Sequence, residues 1–180
     1  MSIIETPTDR LHGLYRDVLR APDGGVLWDR GWQKNTIVVD ARRLLAAFMR
    51  GAPVAALGVQ GLRVGAGDAA WDLAGPPPTA PTDTALTDPN FFTLPRAALQ
   101  FDFLTGGVVT PTPTNRLQII ARLGPNQPPW PDPNHPTGTL REFGLLAQLD
   151  GAGTLFNYVR HPAIAKDPAS TLERTIWLVF

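Results

Sequence analysis

The sequence predicts a mainly β protein, an antiparallel β-sandwich with one short α-helix and long proline-rich loops. Three features carry that expectation. Apolar and polar residues alternate with period two in several separate runs, the signature of half-buried strands. Nineteen prolines and 17 glycines among 180 residues make one residue in five a breaker of regular structure, against about 12% for the pair in an average protein. A single segment shows helical period together with a stop signal. The expected organisation is an extended N-terminal arm over 1–13 and one sandwich domain over 14–180, with loop insertions at 71–95 and 124–138.

In chain order, the first element is a hairpin, Leu14–Arg20 with Val26–Asp29. Asp23 and Gly24 lie between the two runs, and Asp-Gly between apolar runs marks a tight hairpin because glycine accepts the positive φ the turn demands. The helix follows over Asp40–Arg50. Asp40 is placed to cap the first turn, and Gly51 with Pro53 stops the helix. Leu44, Leu45, Phe48 and Met49 fall on one stripe, which leaves Arg42, Arg43 and Arg50 outward.

A short strand at 62–67 opens into the first insertion, whose six prolines forbid a central strand. Two alternating runs, 97–104 and 116–123, share faces of Leu99, Phe101 and Phe103 and of Leu117, Ile119, Ala121 and Leu123, joined by a Gly-Thr-Pro linker. The second insertion carries six prolines around Trp130, a composition of polyproline character. Strands over 139–149, 154–164 and 172–180 close the chain. The last four residues are apolar on both faces, so a second layer, either the helix or another subunit, is expected against Trp177, Val179 and Phe180.

Composition narrows the chemistry. Hydrophobic residues at 43% and charged residues at 18% place the chain among globular proteins. Sixteen basic residues balance 16 acidic ones, so no global field favours nucleic acid or an anionic membrane. The absence of cysteine excludes disulfides, thiol nucleophiles and cysteine-ligated zinc. No apolar run suits a signal peptide or a spanning helix, so the protein is expected to be made and first held in the cytoplasm. Ser2 and Ser170 are the only serines, and neither stands in a glycine-flanked elbow beside a base.

Asp132, Asn134 and His135 alternate oxygen and nitrogen donors, but among prolines this pattern reads as turn chemistry rather than a metal loop. His161 precedes a proline and is expected at a strand edge or the surface. Gly65-Ala66-Gly67 lacks the third glycine and the helix of a nucleotide fingerprint. Asp68, Asp72, Asp102 and Glu142 are carboxylates that could pair only in space. No catalytic residue, metal ligand or cofactor is therefore assigned. Arg141 and Glu142, adjacent on one strand, point to opposite faces and cannot both be buried by one of them, so a contact to a neighbouring subunit is expected there. Trp71 and Trp130, with His135, stand in the proline loops as candidate docking or glycan contacts.

Several motifs together resemble a known family. D-G-G-V at 23–26, W-Q-K-N-T-I-V at 32–38, the helix A-R-R-L-L-A-A-F-M-R-G and L-R-V-G-A-G at 62–67 are similar to the N-terminal half of small structural proteins from phage tails and contractile injection systems. G-T-L-R-E-F-G-L-L at 138–146, G-T-L-F-N-Y-V-R-H-P-A-I-A-K at 153–166 and T-L-E-R-T-I-W-L-V-F at 171–180 resemble the ending of tail-fibre or tail-collar attachment domains. The resemblance implies a non-enzymatic assembly part, an adaptor, collar, baseplate or fibre-attachment component. It also implies a trimer or ring with other tail or baseplate proteins as partners and a final location in a virion tail or tail-like particle. A carbohydrate-binding sandwich module that recognises a surface glycan is the alternative.

Overall fold

Alternation of side chains decides where the strands run and which of their faces meet. The computed structural model describes residues 11–51 and 55–180. The expected arm lies outside these residues as far as residue 10, while His12 and Gly13 already belong to the first strand. The described residues form eleven strands: β1 (His12–Arg20), β2 (Val26–Ile37), β3 (Ala56–Gly65), β4 (Phe92–Pro95), β5 (Leu99–Thr105), β6 (Val108–Thr110), β7 (Arg116–Leu123), β8 (Thr139–Leu149), β9 (Ala152–Leu155), β10 (Asn157–Ala165) and β11 (Thr171–Val179). Helices α1 (Val39–Arg50) and α2 (Trp71–Ala74) complete the set, apart from one 3-10 turn at Arg96–Ala98. Among the described residues no helix is long and apolar enough to cross a membrane.

The strand order is β4-β3-β8-β10-β2-β1-β11-β7-β5-β6, with β9 paired to β8. The link between β10 and β2 is slight, only Asn157 opposite Ile37 and Tyr158 opposite Thr36. It joins two layers, β4-β3-β8-β10 and β2-β1-β11-β7-β5-β6, whose apolar faces pack on each other. Leu62, Val64, Phe143 and Leu145 of one layer share a core with Tyr15, Ile119, Leu172 and Ile176 of the other. The Tyr15 and Phe143 rings meet edge to face across the layers at 5.1 Å. Each such side chain contributes about 1.5–3 kcal/mol on leaving water.

The hairpin turn forms as its sequence predicts. Gly24 has φ +86°, its N–H donates to Ala21 O, and the Gly25 N–H donates to the Asp23 carboxylate at 2.9 Å. The helix begins one residue earlier than expected, and Asp40 makes no N-cap bond. Its carboxylate instead accepts from Arg43 and from Thr154 Oγ1 of β9. The expected apolar stripe is only half covered, because α1 rests on the ends of β3, β8 and β9 along a narrow line. Ala41 and Leu44 are buried, whereas Phe48 is 46% and Met49 89% exposed. Two strands stand where loop was expected. β4 is a short edge strand ending at Pro95, which proline permits there. β6 turns back on β5 through Gly106 and Gly107, both at positive φ, inside the expected linker.

An ionic centre lies between the layers. Asp17 of β1 and Arg174 of β11 are directly opposed across the strand pair, at 0% and 1% exposure. Arg174 Nε and Nη2 each donate to one Asp17 oxygen at 2.7 Å, and the guanidinium lies over the Phe143 ring at 3.7 Å. His161, expected at a strand edge or the surface, is buried on the same cluster, where the register of β10 against β8 shifts between Arg160 and Ile164. Its Nδ1–H donates to Pro162 O and its Nε2 accepts from Arg174 at 3.1 Å. Burial, reinforced by the Arg174 charge, pushes the imidazole pKa down to about 3.

Two outcomes follow from this centre. Arg174→Met strands the Asp17 carboxylate in the core and should cost about 3–5 kcal/mol in urea unfolding, whereas the double change with Asp17→Leu should recover most of that loss. His161 makes stability depend on acid. Unfolded, the ring takes up a proton as pH falls through about 6.5; folded, it stays neutral down to about 3. The unfolded state binds more protons in between, so stability falls with falling pH across that window by up to about 1.4 kcal/mol per pH unit. Urea midpoints measured against pH should be flatter for His161→Gln.

Candidate functional site

The two proline-rich segments fold back against the β8–β10 layer, and a chain of buried polar groups holds them there. It starts at Glu142 of β8, which is fully buried. Glu142 Oε1 accepts the Asp88 N–H at 2.7 Å, and Oε2 accepts the Thr87 N–H at 3.0 Å together with the Tyr158 hydroxyl of β10. A Cβ on neighbouring Gly65 would stand 2.6 Å from Glu142 Oε1, so only glycine leaves the carboxylate its place. The Tyr158 oxygen also meets Thr87 Oγ1 and accepts from Arg160 Nε, both at 3.1 Å. Burial and the adjoining carboxylate push the phenol pKa up to about 12.

Asp88 carries the chain onward. Its carboxylate accepts the Ala66 and Asn90 N–H groups and lies 3.0 Å from His135 Nε2. The other ring nitrogen, Nδ1, lies 2.9 Å from Asp132. His135 thereby ties the second proline segment to the first, with Trp130 stacked on its ring at 3.9 Å. Asp132 also accepts the N–H groups of Asn134 and His135, the turn chemistry expected of that segment.

Arg141 faces the other side of the strand. Nε and Nη2 make a two-pronged bond to Asp72 of α2 at 2.8 and 2.7 Å, and Nη1 donates to Ala66 O. This pairing holds the Asp72 carboxyl below its usual value. Arg141 and Glu142 are therefore both buried, each from its own side by a different part of the same folded-back segment. The expected contact to a neighbouring subunit at these two residues is corrected: their charges are engaged within the chain.

The aromatic residues assigned to the loops are likewise turned inward. Trp130 is 7% and His135 3% exposed. Trp71 is half-buried, packed where a Cβ on Gly67 would stand, with Arg160 above its ring at 5.7 Å. Stacking on a sugar needs an open ring face, which Trp130 lacks. At the last strand, Trp177 is half-buried, its indole N–H donating to Gln118 at 2.9 Å and its ring against Trp32 of β2 at 4.2 Å. Val179 is 7% exposed, and Phe180 keeps 43% of its surface open beside Phe156. Cover on the outer side of β11 thus comes partly from Trp32 of β2.

Ser170 is buried in a turn, its hydroxyl donating to Asp167 O at 2.8 Å. Among the described residues no group of three His, Asp or Glu converges as a metal-ligand set. An open slot of about 620 Å³ lies between β2 and β10, and Trp32, Lys34, Pro76–Pro78 and Arg160 help to line it. Sequence reasoning did not single out Asp88, Tyr158, Arg160 or Lys34. Asp88 had a local signal as the start of an Asx turn in Thr-Asp-Pro-Asn; the others carried none. No protein-family model, no curated protein and no solved structure matches the chain.

Glu142→Gln replaces an acceptor of three hydrogen bonds with an amide whose NH2 must face either the Asp88 or the Thr87 N–H. It should cost about 2–3 kcal/mol, and limited proteolysis should cut residues 76–90 faster in the folded protein. Tyr158→Phe removes a hydroxyl that bonds Glu142, Thr87 and Arg160 and should cost about 1–3 kcal/mol in urea unfolding.

Proposed function

We propose that the chain is a non-enzymatic structural subunit of a phage tail or phage-tail-like particle: an adaptor, collar, baseplate or fibre-attachment component assembled in the cytoplasm. It associates with copies of itself, as a trimer or ring, and with other tail or baseplate proteins. The observation that carries this reading is the fate of the long loops. Segments of this length in a binding or catalytic protein serve as movable lids or ligand loops. Here they are pinned by the polar side chains of the site, Glu142, Asp88, His135, Asp132 and Arg141, so that the polar chemistry fixes a shape. The order of the motifs along the chain supports the particle assignment.

Exposed apolar side chains suit such a part. Met49 at 89%, Leu73 at 97% and Val108 at 70% exposure stand on α1, α2 and the β5–β6 hairpin, places where a neighbouring subunit reaches them without disturbing either layer. Light scattering on the purified protein at high micromolar concentration tests the reading. A mass of three or more times 19.5 kDa is expected, and a strictly monomeric species overturns it.

A further inference from the structure

β2 has two edges with different company. Over Val26–Asn35 one edge pairs with β1, and among the described residues no strand lies on the other; β10 joins it only at Thr36 and Ile37. At the level of Arg30 the gap between β2 and β10 is spanned by a side chain, the guanidinium donating to Pro162 O at 2.8 Å and Ala163 O at 2.7 Å. Between these two ties lies the slot of about 620 Å³. That is the size of a site for a compact ligand or a short stretch of chain, for which about 300–1,000 Å³ is usual. Its lining is mixed: Trp32, Tyr15 and Pro76–Pro78 give flat apolar stretches among polar side chains such as Gln33, Thr36 and Thr79.

Cations predominate around it. Lys34 and Arg160 line the slot and Arg30 closes its end. Arg160 shares Asp83 at 3.2 Å, whereas among the described residues no carboxylate pairs with Lys34 or Arg30. In a chain with no net charge, Lys34 and Arg30 beside one free strand edge leave a local positive excess that an acidic partner neutralises.

We propose that the slot is a docking site for an extended acidic segment of another protein, laid along the free edge of β2. Backbone hydrogen bonds to the strand supply the grip, as in other strand-addition complexes. Alternate side chains of the segment face the proline and tryptophan walls, and its carboxylates reach Lys34 and Arg160. This names the partner chemistry for the assembly reading and rests on that reading only in taking the partner to be a protein.

The test is fluorescence anisotropy with a short labelled peptide of alternating glutamate and valine, beside its lysine–valine counterpart, titrated into the full chain. The acidic peptide is expected to bind and the basic one not. Affinity should drop about tenfold in Lys34→Glu, an exposed position whose change leaves the core untouched, and should also drop on raising salt from about 50 to about 300 mM. Equal binding of the two peptides, binding indifferent to Lys34→Glu, or no binding at about 1 mM peptide overturns the proposal. Stronger competition by a peptide of residues 1–10 than by the acidic probe also overturns it, transferring the slot to a second copy of this chain. A protein that self-associates yet ignores the acidic probe loses this inference alone; a monomer that binds it loses the assembly reading alone.

Discussion

The fully buried carboxylate of Glu142 is the constraint on which the arrangement of the loops depends. An ionised carboxylate away from water is tolerable only when its oxygens accept enough hydrogen bonds. Two of the donors, the N–H groups of Thr87 and Asp88, come from a segment 54 and 55 residues earlier in the chain. The segment that takes Glu142 away from water also supplies the N–H groups that make its burial tolerable, so cover and hydrogen bonds arrive together. Through Asp88 the same requirement passes to Ala66 on one side and His135 on the other. One acid on β8 therefore sets the positions of both proline-rich segments, although proline removes the backbone donors that would otherwise have tied such segments to a sheet.

The second ionic centre works on the layers themselves. Asp17 and Arg174 stand directly opposite each other in the β1–β11 pair. A slip of one residue would set Asp17 against Thr175 or Glu173 and turn Arg174 to the outer face, together with Leu172 and Ile176. A buried pair of this kind adds little net stability over well-packed apolar residues. It does penalise the wrong register heavily, because a misplaced charge has no partner. His161 fits the same logic: as a neutral ring it accepts a hydrogen bond from one Arg174 N–H and adds no charge of its own to the core.

How much of this could be read from residues alone follows from the range of each interaction. Strands β7, β8 and β11 were legible because alternation is local, and the β1–β2 turn was legible because Asp23-Gly24 determines its own geometry. The helix was legible in extent but not in orientation, since the stripe of Leu44, Phe48 and Met49 does not say how wide a surface it meets. β6 was hidden by its three residues, too few to show a period, and β4 by the prolines around it. Arg174 was visible on the inward-facing row of the last strand, but its partner stands 157 residues away, and nothing local to either residue names the other. The pairing of Arg141 with Asp72 was hidden for the same reason. The parity argument correctly sent Arg141 and Glu142 to opposite faces; it could not foresee that one folded-back segment covers both.

The parting of β2 from β10 shows how a single covalent feature opens a surface. β10 reads Arg160-His161-Pro162-Ala163, and its register against β8 shifts between Arg160 and Ile164. Pro162 has no N–H to give to a neighbouring strand. His161 is drawn inward to Arg174, so the backbone beside it cannot also lie flat along β2. The carbonyls of Pro162 and Ala163 are left pointing at β2 without strand donors, and Arg30 supplies its guanidinium to them. β2 is thereby held at the distance of a side chain instead of the distance of a hydrogen-bonded strand. The open edge of β2 is thus a consequence of the same buried histidine that completes the core, and closing it would require giving up either Pro162 or the Arg174 contact.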